Sequence, residues 1–157
     1  MIKILFVCHG NICRSAAAEM VMKMLVESQN MGRQIHVESA AATTEEIGHD
    51  IYPPMKRTLL AHGVPCTRHA ARQIQRGWYH SFDQIIGMDR ENMDDMAWFF
   101  HGDPEGKCSL LLDHAGRYGE EVSDPWYTRD FERAYQDVLQ GCEGLLHEIC
   151  EGRDSET

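Results

Sequence analysis

The chain has 157 residues, with 25 acidic against 15 basic side chains and a formal charge of −10. That length suits one domain with a full core, and the acidic balance argues against a general nucleic-acid binder. No apolar run reaches the ~18 residues of a membrane span. The N-terminus also lacks the basic stretch, apolar segment and cleavage site of a secretory leader, so a cytoplasmic protein with no membrane partner is expected.

The first strand is predicted over 2–7, where Ile4, Leu5, Phe6 and Val7 suit burial on both faces. A helix follows over 15–28, with Ala18, Val21, Met22 and Leu25 at helical spacing, and Gly32 marks a turn. Residues 35–39 read as a second strand, parallel to the first because a helix intervenes. The stretch 40–52 lacks periodicity and reads mainly as loop. Pro53 and Pro54 suit the entry of a helix that continues through Met55, Leu59 and Leu60 to Gly63. Residues 65–82 read as a loop with a short helix, and 84–88 as the third strand. Asp89 can cap a helix with Met93, Met96, Ala97 and Phe100 on one face. A turn over 102–106 precedes a fourth strand over 109–112, and 114–123 is a polar loop. From about Thr128 a long helix carries Phe131, Tyr135, Val138, Leu139, Cys142, Leu145, Leu146 and Ile149 on one stripe, the cleanest amphipathic signal in the chain. The last six or so residues are polar and expected to fray. Strands alternating with helices predict an α/β fold: a three-layer sandwich over 1–157, a four-stranded parallel sheet with helices on both faces.

Cysteines stand at 8, 13, 66, 108, 142 and 150, and no pair has C-x-x-C spacing. Zinc or thioredoxin-like chemistry therefore has little support, and no metal or cofactor is expected. Cys142 falls on the apolar stripe and reads as core. Only Cys8 and Cys13 share a loop.

That loop carries the chemistry. The first strand runs into Cys8, His9, Gly10, Asn11, Ile12, Cys13, Arg14 and Ser15, and a helix follows at once. Gly10 and Asn11 tolerate left-handed backbone, so successive N–H groups can turn inward and cradle an anion. The helix N-terminus points its partial positive charge at the same spot. Such a field favours a cysteine anion, and Arg14 can grip two oxygens of a tetrahedral oxyanion. Nucleophile, cradle and clamp together suggest phosphoryl transfer to sulfur, at the carboxyl end of a strand where such sheets bind ligands. The plainer possibilities are a buried cysteine closing a turn, a surface ion pair at Arg14 and a simple helix cap at Ser15. Further on, Asp124 precedes Pro125, which biases it toward an extended backbone. Trp126 and Tyr127 can wall a pocket for an aromatic ring. A turn-forming Asp-Pro is the ordinary alternative there.

The segment from Val7 to Ser15 resembles the low molecular weight protein tyrosine phosphatases. So do Val37–Ala41, Glu46–Gly48, His62–Pro65, His69–Gln73, Met88–Asp89 and Asp124–Tyr127, in family order over nearly the whole chain. The resemblance implies that Cys8 is the nucleophile, that Arg14 binds phosphate, and that His9, Gly10, Asn11, Ile12, Cys13 and Ser15 complete the cradle. It implies that Asp124 protonates the leaving phenolate and then deprotonates water, with Trp126 and Tyr127 beside the substrate. It also implies that the Ser15 hydroxyl faces the sulfur, and that Asn11 holds the loop through Ser15, Ser39 and His69, two of which would otherwise be ordinary loop residues. By the same resemblance Cys13 can form a reversible disulfide with Cys8; otherwise it is a small loop residue. Asp89 either orients Arg14 or simply caps a helix. The implied substrates are phosphotyrosine proteins or peptides and small aryl phosphates, handled by a monomer or weak homodimer.

The chain departs from the family at three places. Glu45 aligns with a frequent aromatic wall, with Tyr52 as the nearby ring; His9 replaces a larger apolar residue or threonine; Ala16 replaces proline. Glu45 is expected to disfavour acidic peptides. Three alternatives stand beside a tyrosine phosphatase. A protein arginine phosphatase would carry threonine where Ile12 stands. An arsenate reductase on the same fold would need resolving cysteines on a mobile segment, and 74–95 has none. A dead phosphate-binding module would be expected to lack Cys8, Arg14 or Asp124.

Overall fold

The computed structural model describes residues 1–155. In chain order the elements are β1 (Ile2–Cys8), α1 (Arg14–Ser28), β2 (Ile35–Ala41), α2 (Pro53–Ala61), β3 (Gln84–Gly87), α3 (Arg90–Phe99), β4 (Cys108–Leu110), α4 (Pro125–Thr128) and α5 (Phe131–Ser155). Short 3-10 helices occupy Arg76–Ser81 and Leu111–Ala115. The four strands are all parallel, in the order β2-β1-β3-β4. No helix among the described residues is long and apolar enough to cross a membrane.

β1 is central and its residues alternate between two cores, as the period of a strand requires. Ile4, Phe6 and Cys8 join a large cluster with α1, α2 and α5. Leu5 and Val7 join a smaller one built from Ile74, Tyr79, Phe82, Met96 and Phe100 around α3. The outcome is the predicted three-layer α/β sandwich. The strand ends are staggered: Cys8 pairs with Ala41, whereas β3 stops at Gly87 opposite Val7. Cys8 thus emerges at the carboxyl edge, paired with β2 on one side and one residue beyond the end of β3 on the other.

Several boundaries differ from those expected. α1 starts at Arg14, which leaves Ser15 inside the helix rather than capping it. The fourth strand ends at Leu110 because Leu111 and Leu112 turn into the 3-10 segment and bury against α5. Gly141 and Gly144 permit that close approach: a Cβ at 141 would sit 2.4 Å from Leu111 Cγ, and one at 144 only 2.1 Å from the His114 carbonyl oxygen. The long helix starts at Phe131, not near Thr128. Arg129, at φ +61°, ends α4, and the Asp130 carboxylate then caps α5 by accepting the Arg133 amide at 2.9 Å. On α3, Ala97 is exposed and Asn92 takes its place on the buried face. The chain end is helical as far as Ser155 rather than frayed, since extending a formed helix costs little. The remainder of that expected frayed end, 156–157, lies outside the described residues.

Candidate active site

Cys8 ends β1 and the next residues cross to α1. Their carbonyls are taken by donors outside the loop. Ala42 N donates to Cys8 O at 2.9 Å, Thr43 N and Oγ1 to His9 O at 3.2 and 2.9 Å, and Tyr52 N to Ile12 O at 2.8 Å. His69 Nε2 donates to Asn11 O at 2.6 Å. A trans peptide sets the next N–H opposite its carbonyl. The amides of His9, Gly10, Ile12 and Cys13 therefore face away from those donors, which is how a loop becomes an anion cradle. The one non-glycine residue of the loop in the left-handed region is Asn11, at φ +59°. Gly10, which could tolerate that region, does not use it. Its small size matters instead, because a Cβ there would come within 3.2 Å of Glu46 Cγ.

Asn11 is fully buried and holds the loop from beneath. Its Nδ2 donates to Ser15 Oγ at 2.8 Å and to Ser39 Oγ at 2.9 Å. Ser39 Oγ donates in turn to Glu19 Oε1 at 2.5 Å, and Arg72 N donates to Asn11 Oδ1 at 3.4 Å. Ser15 Oγ, which accepts from Asn11, lies 3.0 Å from Cys8 Sγ and 3.5 Å from Ala40 O, and a thiolate at Cys8 would accept its hydrogen. The Ser15 amide, in the first turn of α1, adds a second donor to the sulfur at 3.4 Å. No side chain caps α1. The hydroxyl and the amide of Ser15 thus converge on the Cys8 sulfur at the N-terminus of α1.

Arg14 is 4% exposed. Its Nη1 donates to Val122 O at 3.2 Å, and its Nη2 to Asp89 Oδ2 at 2.9 Å and Asp124 Oδ2 at 3.4 Å. Burial alone would lower its pKa, but the charges of Cys8, Asp124 and Asp89 outweigh burial and raise it. Asp89 performs both tasks considered for it: one oxygen holds Arg14 and the other caps α3 through Asn92 N at 2.8 Å. Asn92 returns the bond by accepting the Met88 and Asp89 amides, so Asp89 is fixed in its backbone as well. Asp124 Oδ1 accepts Trp126 N at 3.0 Å, and the carboxylate is 33% exposed, open to a guest in the cavity.

Cys8, His9, Gly10, Ile12, Cys13, Arg14, Asp124, Trp126 and Tyr127 all line one cavity of about 700 Å³. Tyr52 and Phe131, whose rings lie 5.9 Å apart, complete its aromatic wall. Asn11, Ser15, Ser39 and His69 lie beneath it. Cys13 is a separate thiol whose pKa is raised by burial first and by the charge of Cys8 second. A larger groove of about 920 Å³ lies between α1, β2 and the 67–72 segment, but it holds neither Cys8 nor Arg14. Among the described residues no group of three or more His, Cys, Asp or Glu side chains is placed to hold a metal ion.

Glu19, Arg72 and the Val122 carbonyl were not anticipated. Glu19 stands four residues after Ser15 on the same helix face, a spacing visible in the sequence. Arg72 meets Asn11 through its amide and the Ser39 carbonyl through Nε at 3.4 Å, and Val122 meets Arg14 through its carbonyl, so each of these three contacts has a backbone group on one side.

The family model described as low molecular weight phosphotyrosine protein phosphatase matches residues 3–155. Low molecular weight phosphotyrosine protein phosphatase 1 of Drosophila melanogaster is 37% identical over 155 residues, covering 93% of this chain and 96% of that protein. Among solved structures, YfkJ from Bacillus subtilis superposes with a TM-score of 0.92 at 33% identity, covering 97% of this chain and 96% of the other. DARP, the drosophila arginine phosphatase, gives a TM-score of 0.83 at 32% identity, covering 94% and 98%. With its loop, its sheet and its matched length in agreement, the chain belongs to the low molecular weight phosphotyrosine protein phosphatase family.

Proposed function

We propose that the protein hydrolyses phosphotyrosine in proteins and peptides, and small aryl phosphates, through a phosphocysteine intermediate. The Cys8 thiolate attacks phosphorus in line, and the S–P bond forms as the P–O bond to the phenol breaks. Arg14 and the loop amides hold the equatorial oxygens as charge shifts toward the leaving oxygen. Asp124, protonated for this step, gives its proton to that oxygen. In the second step the Asp124 carboxylate takes a proton from water, whose oxygen attacks phosphorus. Phosphate leaves and the Cys8 thiolate is restored, with the Ser15 hydroxyl stabilising the sulfur as it departs.

The observation that carries this is the convergence on one sulfur of the Ser15 hydroxyl at 3.0 Å and the Ser15 amide at 3.4 Å, beside a buried arginine whose Nη2 touches Asp124. Trp126, Tyr127, Tyr52 and Phe131 around the cavity suit a phenyl ring. A thiolate nucleophile needs a reducing environment, which supports a cytoplasmic location. Cys8→Ser tests the assignment: turnover of an aryl phosphate should vanish while the protein stays folded, and full turnover would refute it.

The likeness to a drosophila arginine phosphatase favours one second reading, hydrolysis of phosphoarginine. The apolar Ile12 in the cavity wall supports the phenol instead. Rates on phosphotyrosine and phosphoarginine, measured side by side, decide between them.

A further inference from the structure

The mouth of the Cys8 cavity is unusually acidic for a site that must admit a phosphate. Six carboxylates line it, those of Glu45, Glu46, Asp89, Glu91, Glu121 and Asp124, against Arg14, Arg133 and His9. Four of the six are occupied nearby. Asp89 and Asp124 are held by Arg14, His49 sits 2.6 Å from Glu46, and Glu121 accepts the Arg90 amide at 2.9 Å. The other two, Glu45 and Glu91, flank His9 from opposite ring nitrogens, at 2.9 and 3.7 Å. One imidazole can neutralise at most one of them. Both carboxylates are well exposed, 64% for Glu45 and 72% for Glu91, so they face whatever stands over the cavity.

A phosphorylated ligand adds more negative charge to that mouth. A ligand that brings its own cations relieves that repulsion. We propose that this rim selects phosphotyrosine peptides with lysine or arginine beside the phosphotyrosine, with Glu45 and Glu91 as the specificity-determining residues. The inference rests on the phosphotyrosine reading above. Like charges facing across an interface are penalised and opposite charges rewarded. For a solvent-exposed rim with two or three pairs, the preference for a basic over an acidic peptide is roughly tenfold in kcat/KM. It resides mainly in KM, because the flanking residues bind equally in the ground and transition states. It also shrinks as salt rises, since exposed charges are screened beyond about 10 Å at 0.1 M.

The test compares two phosphotyrosine peptides of equal length, one with lysines and one with glutamates on either side, alongside a small aryl phosphate that has no flanking residues. Each is assayed on the wild type, on E45Q/E91Q and on E45K/E91K. The expected result is a lysine-peptide preference that falls toward unity in the first variant and reverses in the second. If the aryl phosphate and both peptides are turned over by the wild type at equal rates, the rim inference fails while the phosphatase reading stands. A lysine preference that persists unchanged in both variants also overturns it. Absence of turnover on every substrate overturns the phosphatase reading itself, and the inference with it.

Discussion

Two loops of this molecule are built by the same device and put to different uses. In the loop after β1, Asn11 adopts φ +59° and its side chain knits the backbone to the sheet. In the loop before β4, Asp103 adopts φ +61° and accepts from Tyr79 Oη at 2.6 Å and from the Lys107 and Cys108 amides at 2.7 and 3.1 Å. Both spend backbone strain to fix a turn, as sparsely populated conformations require. The first cluster lies at the carboxyl end of the sheet, is fully buried, and ends on a sulfur through Ser15. The second lies at the opposite end, is half-buried, and ends on the Lys107 and Cys108 amides and on the Cys108 thiol, whose ionisation the Asp103 carboxylate opposes. The difference teaches that strain marks a reactive site only when the polar chain it supports brings donors to the sulfur, as Ser15 does at Cys8, and not a carboxylate, as Asp103 does at Cys108.

The comparison is broken most severely through the first cluster's cation. Arg14→Lys keeps the charge but loses the planar fork, and should cut kcat on an aryl phosphate by roughly 10²–10³ with little change in fold. Asp124→Asn should follow, with a loss of about 10²-fold or more on phenols that leave poorly and much less on a nitrophenol, whose leaving oxygen needs no proton. An equal loss on both leaving groups would contradict an acid role.

The two polar residues themselves sharpen the contrast. Asn11→Ala should lower stability by roughly 1–3 kcal/mol and reduce kcat as well, because the Ser15 hydroxyl loses its fixed direction. Asp103→Asn should lower stability by about 1–3 kcal/mol and leave kcat unchanged. Thermal melts with parallel kinetics separate the two. The sign of the pH effect is set by Asp103. Burial raises its pKa, but hydrogen bonds from Tyr79 and from the Cys108 and Lys107 amides outweigh burial and hold it below the usual carboxylate range. A depressed native pKa contributes stability that is present above the unfolded value, about 3.9, and is lost as pH falls through the native one. The acid limb of the Tm–pH curve should therefore flatten in Asp103→Asn.

The smallest effect expected is in thiol labelling. Burial and the Asp103 carboxylate push the Cys108 thiol up to about 12, and burial likewise raises Cys13 and Cys142. At neutral pH a limiting dose of iodoacetate should carboxymethylate Cys8 ahead of these three, as peptide mapping would show.

Most of the fold was legible because its signals are local. The apolar run of β1, the stripe of α5 and the Pro53–Pro54 helix entry each follow from composition over a few residues. What escaped was decided by tertiary contact. Gly141 and Gly144 admit the 111–115 turn against α5 and so shorten β4, and nothing within residues 109–112 announces that. The Cys8 loop could be placed because its residue types, spacing and flanking elements agree. Its tuning by Glu19, the Arg72 amide and the Val122 carbonyl could not be placed, since two of these act through backbone groups that every residue carries. The acidic rim was visible only at Glu45. Glu91 joins it because α3 happens to start beside the cavity.

The central claim is that the sulfur of Cys8 accepts phosphorus and Asp124 releases the intermediate. The most direct measurement is rapid quenching of the Asp124→Ala protein during turnover of a nitrophenyl phosphate, followed by mass spectrometry of the peptide that carries residue 8. Phosphate covalently bound to Cys8, decaying at the turnover rate, is the expected result. An unmodified Cys8 under turnover, with phosphate appearing directly in solution, would contradict it.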